Sequence, residues 1–525
     1  MNRFRIWDIL LIGLLVFNFI SSLIWIYINN APFPWDQAAH ADLSLQIAEH
    51  MRSLQLFSVL QVSNYYPILV HALTAIFFLF FGPYLKMTQI IAAVLLLGTI
   101  AIIYFYFDLV FKSKKIAFIT AFFFSFFPIV YNFSKWLMLD IPIVGFLFLT
   151  LYLWEKSKMM TGRKYSLLTL TSLGLLMMTK WTGALFLFTP FTLTAWHFIK
   201  EPHKKTMIVT LFYGTTIFLI IVTPWYLTNL QSFLFQSNIN VIGEQGADPS
   251  NLLTIGNFTR YINDFINSQT TTYFAIPFFI IFTVLLFKKW PRKYFVISMI
   301  VISYLIFTFI SNKDGRYTMP ILPFAAFVVA FGLEKFNSIY RKTGNTLTFF
   351  LMFVLLGYYL LLTIRPIVAE GAYLSFDILG IQRFDLLNIN DRLVKKYDSD
   401  YWEMPNILND FESISKGTPV NIVIGIEREH LNASTLQTYL ETKKYQGRLT
   451  NISLNTPDIY YLESTYNQAS FPSNKAVKTY LENINYVLLS PNNIGTPYLR
   501  NHDALLELRN YTIHNSLSFC NAYID

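Results

Sequence analysis

Long apolar runs constrain this chain more than any other feature. A helix that crosses a bilayer needs about 20 mostly apolar residues. Runs of that kind recur near 7–28, 84–111, 116–134, 141–154, 165–179, 182–199, 206–229, 271–287, 294–311, 317–334 and 346–364. They predict about eleven transmembrane helices. The first run follows Arg3 and Arg5, is too long for a signal-peptide core and has no small-residue cleavage site behind it, so it reads as a retained span. Only 14% of the 525 residues are charged and 54% are hydrophobic, whereas soluble domains carry about 25% charged residues. That composition excludes a soluble enzyme of this size, a disordered chain and a coiled coil. The single Cys520 excludes a disulfide framework and a Cys-rich metal site.

The net charge of +9 is unevenly placed. Residues 1–364 hold 26 Lys and Arg against 13 Asp and Glu, while residues 365–525 hold 14 against 18. A basic excess confined to the loops between apolar runs points to membrane orientation and not to nucleic acid. The segment 67–82 tests the reading. It is 16 residues long, apolar, and opens on Pro67. If it stays at the interface, 19 basic residues fall on one side of the membrane and 7 on the other. If it crosses, every later loop changes side and the asymmetry collapses. The positive-inside rule therefore favours an interfacial helix. The loop 29–83, the turn around 135–140, the loop 230–270 and everything after 365 then lie outside the cytoplasm. Residues 1–364 form one membrane domain in this reading. Residues 365–525 form a small extracytoplasmic α/β domain, with strands expected in 419–426 and 486–490 and a helix at 434–445.

Acidic residues at a hydrophobic boundary are costly unless solvated or paired, which makes them functional candidates. Asp36 stands in PFPWDQAAH just after the first run, and Asp140 in KWLMLDIP just before the fourth. Each also fits a plain helix cap. Brought together, the two carboxylates supply a general base and a positioning or metal-binding group. His40 lies one helical turn after Asp36 and offers a second metal or phosphate contact, with a solvated histidine as the ordinary alternative. His71, in the run 67–82, is a weaker candidate for the same pocket. Lys180 is the one charge between about 165 and 199, and Lys313 and Arg316 flank the turn Asp314-Gly315. All three suit a lipid phosphate, Arg316 through two parallel donors. Snorkelling or a solvated turn explains them equally well.

These pieces, PWDQAAH, YYPILVHAL, MLDIP, LLMMTKWTG and KDGRYTMPILP in that order over roughly residues 1–335, resemble the membrane glycosyltransferases of the GT-C fold. More narrowly, they resemble the family-39-like group of dolichyl-phosphate-mannose protein mannosyltransferases, lipid A aminoarabinose transferases and RgtA/B/C/D-like enzymes. The resemblance implies a polyprenyl-phosphate-linked sugar as donor and transfer on the outer face. It places the family's two loop aspartates on Asp36 and Asp140, its Thr-Lys element on Thr179 and Lys180, and its late cationic element on Lys313, Arg316 and Tyr317. Many relatives have Asp-Glu in the first loop. Gln37 stands here instead, which weakens any role needing a second carboxylate, although His40 offers a substitute metal ligand beside Asp36.

The expected function is therefore a multi-pass cell-membrane glycosyltransferase. It moves a sugar from a polyprenyl phosphate to a lipid, glycan or protein acceptor, with inversion at the anomeric carbon. Its partners are the lipid-linked donor, the acceptor and membrane lipids. A divalent metal is possible, and no nucleotide pocket is needed. A lipid-linked sugar flippase or transporter is the main alternative, and it wants midplane charges and internal symmetry. A surface-glycan ligase or polymerase is a third reading, distinguished by an oligosaccharide donor.

Overall fold

The computed structural model describes residues 3–200, 204–241 and 253–364, and parts of 373–514. The chain is mostly helical. Six helices are long and apolar enough to cross a membrane: Ile6–Ile28, Leu85–Phe111, Trp181–Lys200, Met207–Thr228, Gly315–Ile339 and Arg341–Leu360. They coincide with six of the eleven runs. The other five runs are also helical but shorter, so length and composition alone do not reach the expected count. The run 116–134 is interrupted. Pro128 offers no amide donor and holds Phe127 in an extended conformation, so Lys114–Ser125 and Pro128–Phe133 are separate helices. The runs 141–154 and 165–179 become Asp140–Lys156 and Arg163–Thr179, each 17 residues long.

The segment 67–82 forms the helix Leu69–Phe81. At about 1.5 Å per residue its 13 residues fall well short of the roughly 30 Å hydrocarbon core. Val70, His71, Thr74, Ala75 and Phe78 are buried against the protein, while Phe80 and Phe81 are exposed. One face of this short helix packs on the protein and the opposite apolar face is exposed.

Ion pairs sort the two ends of the bundle. At one end Lys114 meets Asp8 at 2.5 Å, Lys115 meets Glu334 at 2.5 Å, and Arg292 meets Glu155 at 2.7 Å. All three cations belong to the more basic set of loops. The helices between the ends pack closely, because lipid gives no hydrophobic drive and small residues let backbones approach. A Cβ on Gly145 would stand 2.6 Å from Thr99 Oγ1, so the helix bearing Asp140 is seated tightly on Leu85–Phe111.

Towards the C-terminus, Val420–Ile424 is the central strand of a three-stranded parallel sheet, flanked by Ile452–Asn455 and Tyr486–Leu488. The strand's alternation divides its side chains between two small cores. Ile422 and Ile424 pack with Phe411, Leu436 and Leu440, and Val423 packs with Val477 and Leu508. The expected strand and helix positions thus fall on real elements. The helix Ala433–Tyr445 also packs on the helix Trp35–Arg52 of the first loop.

Candidate active site

Two prolines set up the first-loop helix. Pro32 and Pro34 cannot donate backbone bonds, and Pro34 occupies the cap position of Trp35–Arg52. Asp36 therefore falls in the first turn, where free amides favour a negative charge. Asp140 is the first residue of its own helix, with Leu139 at the cap. Neither carboxylate makes a capping bond, so the plain cap reading does not hold for either. Their partners come from elsewhere in the chain.

Arg316 Nη2 lies 2.8 Å from Asp36 Oδ2, and its Nε lies 3.1 Å from Asp314 Oδ2. Lys180 Nζ lies 3.6 Å from Asp140 Oδ1. The ring of Tyr317 joins the two pairs, with Lys180 Nζ 5.0 Å and Arg316 Cζ 5.7 Å from its centre. Asp140, Lys180, Arg316 and Tyr317, with Thr182 and Phe186, line a narrow cleft. A second cleft shares Lys180, Thr182 and Tyr317 and adds Tyr65, Trp181 and Asn312.

Local breaks in the helices present these cations. Arg163–Thr179 ends at Lys180, whose extended backbone leads into a 3-10 turn, Trp181–Leu187. The second 3-10 turn, Gly315–Ile321, is capped by Asp314, whose Oδ1 accepts from Arg316 N at 3.0 Å. Gln269 braces this turn by donating to the Gly315 carbonyl and to Thr318 Oγ1. Nothing in the sequence pattern singled out Gln269, one of several amides in the segment 257–269.

Asp36 keeps 42% of its side-chain surface exposed, and it reaches the cleft only through Arg316. Burial by the surrounding protein pushes its pKa up, but the Arg316 guanidinium, with the Lys180 ammonium, outweighs this and holds it below the usual carboxylate range. His40 is 2% exposed, its Nδ1 2.9 Å from His71 Nε2 and its ring against Tyr66. Burial, with the neighbouring His71, keeps His40 well below the ordinary histidine value, and burial takes His71 down to about 4. The two rings form a neutral pair behind Asp36, so His40 brings no positive charge to a phosphate at neutral pH.

Two other expected ligands lie apart from the cleft. Lys313 is 7% exposed and donates to the carbonyls of Phe307, Thr308 and Ile310. It caps the end of the helix Lys293–Thr308 and is not turned to a phosphate. Thr179 is buried and back-bonds to Leu175 O. Among the described residues, no three His, Cys, Asp or Glu side chains converge as a metal site. Asp36 and His40, considered for a metal, are engaged by Arg316 and His71. That donor set does not fit a divalent ion.

The family model of dolichyl-phosphate-mannose-protein mannosyltransferase matches residues 7–239, a stretch that includes Asp36, Asp140 and Lys180. The structure is similar to that of ArnT from Cupriavidus metallidurans bound to undecaprenyl phosphate, with 12% identity, 85% of this chain and 89% of that chain covered, and a TM-score of 0.52. The apo form of the same protein gives 13% identity, the same coverage and a TM-score of 0.52. At this identity the likeness shows a shared fold. No curated protein matches the sequence. The family match ends before the late cations, so the placing of Arg316 and Tyr317 at the site comes from the geometry.

Proposed function

We propose that the protein is an integral-membrane glycosyltransferase that takes a sugar from a polyprenyl-phosphate donor and passes it, with inversion, to a lipid, glycan or protein acceptor on the outer face of the membrane. The C-terminal segment lies on that same face. The observation that carries this reading is the pairing of Asp36 with Arg316 and of Asp140 with Lys180 about the ring of Tyr317.

The leaving group is a lipid phosphate, already a good anion. It needs cations to hold its charge and no proton donor. Lys180 and Arg316 supply them, and Tyr317 gives the guanidinium a flat support. In the free protein the carboxylates take the place of that phosphate. An arriving phosphate competes for Arg316, and a carboxylate released from an arginine becomes a stronger base. Asp36 then accepts the proton from the acceptor's O–H or N–H as its oxygen or nitrogen attacks the anomeric carbon. The bond from that carbon to the phosphate oxygen breaks, and the phosphate leaves with the electron pair. Asp140 keeps Lys180 in place. No step is routed through a metal.

The test is transfer from a radiolabelled polyprenyl-phosphate sugar by the full chain in proteoliposomes, with the anomeric configuration of the product read by NMR. Transfer by the wild type and none by a correctly inserted Asp36→Asn variant supports the assignment. Translocation of the donor with no transfer product points to a flippase instead.

A further inference from the structure

The C-terminal helix Ala433–Tyr445 presents a different residue class to each of two surfaces. Leu436 and Leu440 enter the core beside the parallel sheet. Thr435 and Thr438, both fully buried, face the first-loop helix. Thr435 Oγ1 donates to Phe33 O at 2.7 Å. Thr438 Oγ1 lies 2.7 Å from Ala38 O and 2.8 Å from Ser434 O, sharing its one proton between them. These two carbonyls bracket Asp36. The opposing surface is built from Ala38 and Ala41, both fully buried, and small side chains of this kind allow close approach. Phe33 is anchored on its other side. Its ring packs edge-on against Trp136, which in turn packs against Trp25. Asn432 begins the contacting helix by accepting from Thr435 N at 2.9 Å, and it is wholly buried.

We infer that Thr435 and Thr438 are positioning residues for Asp36: the C-terminal helix clamps the backbone on either side of it and sets the carboxylate against Arg316. A hydroxyl bonded to a main-chain carbonyl fixes the carbonyl's position and not merely the packing around it, and a small misplacement of a catalytic group is costly in rate. The C-terminal segment is on this account part of the machinery. The inference rests on the proposed role of Asp36 as base.

The test uses the full chain in proteoliposomes. Thr435→Val and Thr438→Val keep the shape and remove the hydroxyls. The double variant is expected to lose at least tenfold in kcat with no rise in donor KM, and the acidic limb of its pH profile is expected to rise because the carboxylate loosens from Arg316. The matching Ser variants keep the hydroxyls and are expected to restore both rate and limb. Thr442→Val, on the same helix with its hydroxyl bonded only to Thr438 O, is expected to leave both unchanged. Wild-type kinetics in the double Val variant, or Ser variants that fail as the Val ones do, would overturn the clamp. If the wild type itself transfers no sugar, the functional reading fails and not the clamp.

Discussion

Arg316 Nη2 and Asp36 Oδ2 stand 2.8 Å apart, joining the first loop to the turn that opens a late helix. A base held by an arginine is a weak base until something draws the arginine away. The pH dependence should show this directly. In the free enzyme Asp36 ionises below the usual carboxylate range, so the acidic limb of kcat/KM should lie low. With donor phosphate bound, the acidic limb of kcat should move to higher pH. Coincident limbs would mean that the phosphate does not compete for Arg316.

Arg316 spans two acids with different nitrogens, Nη2 to Asp36 and Nε to Asp314. A lysine is a single point charge and cannot bridge both. Arg316→Lys should lower kcat/KM by about 10–100-fold, roughly 1.4–2.8 kcal/mol of transition-state stabilisation. Steady-state kinetics on the reconstituted variant measure this, and a loss of less than twofold would show that charge alone suffices.

Lys313 should behave as a structural residue. Its ammonium satisfies three carbonyls at a buried helix end. Lys313→Met should cost about 1–3 kcal/mol in stability and leave donor affinity in the surviving folded protein unchanged. Thermal unfolding in detergent and donor binding separate the two effects. A large rise in donor Kd would return Lys313 to the phosphate site.

Asp42 lies beside Glu441 across the seam with the C-terminal helix. Burial, followed by Glu441, raises its pKa from 3.8 to about 7. A carboxyl whose pKa is higher in the folded state favours that state when protonated, so its contribution is fully present below about 4 and fades as pH rises to about 7. Asp42→Asn should abolish this part of the pH dependence and raise the melting temperature at pH 8. Melting curves between pH 4 and 8 are the measurement, and an unaltered slope would show that the group titrates normally.

The acids and the elements bearing them were legible because a charge at the edge of an apolar run stands out. Asp36, Asp140, Lys180 and Arg316 all met that description, and the resemblance placed all four on family motifs. Their pairing was not legible. Arg316 belongs to Asp36 only because three-dimensional packing brings distant loops to one cleft. Lys313 and Arg316, two neighbours in one turn, look equivalent in sequence yet point in opposite directions, since one can reach carbonyls of the preceding helix. Lys135 shows the same limit. Counted as an outer loop charge, it is 2% exposed and bonds Ser22 and Tyr359 inside the bundle. The break within the run 116–134 was not legible because hydropathy does not register the backbone effect of Pro128.

The contact between Thr435 and Phe33 imposes a parity rule on the whole chain. Both residues must lie on one face of the membrane, so the chain between them crosses an even number of times. Five of the six long apolar helices lie in that interval, an odd number, so if all five cross, at least one of the shorter helices crosses as well. The ten spans read from the sequence after the first satisfy the rule, provided that Leu69–Phe81 does not cross.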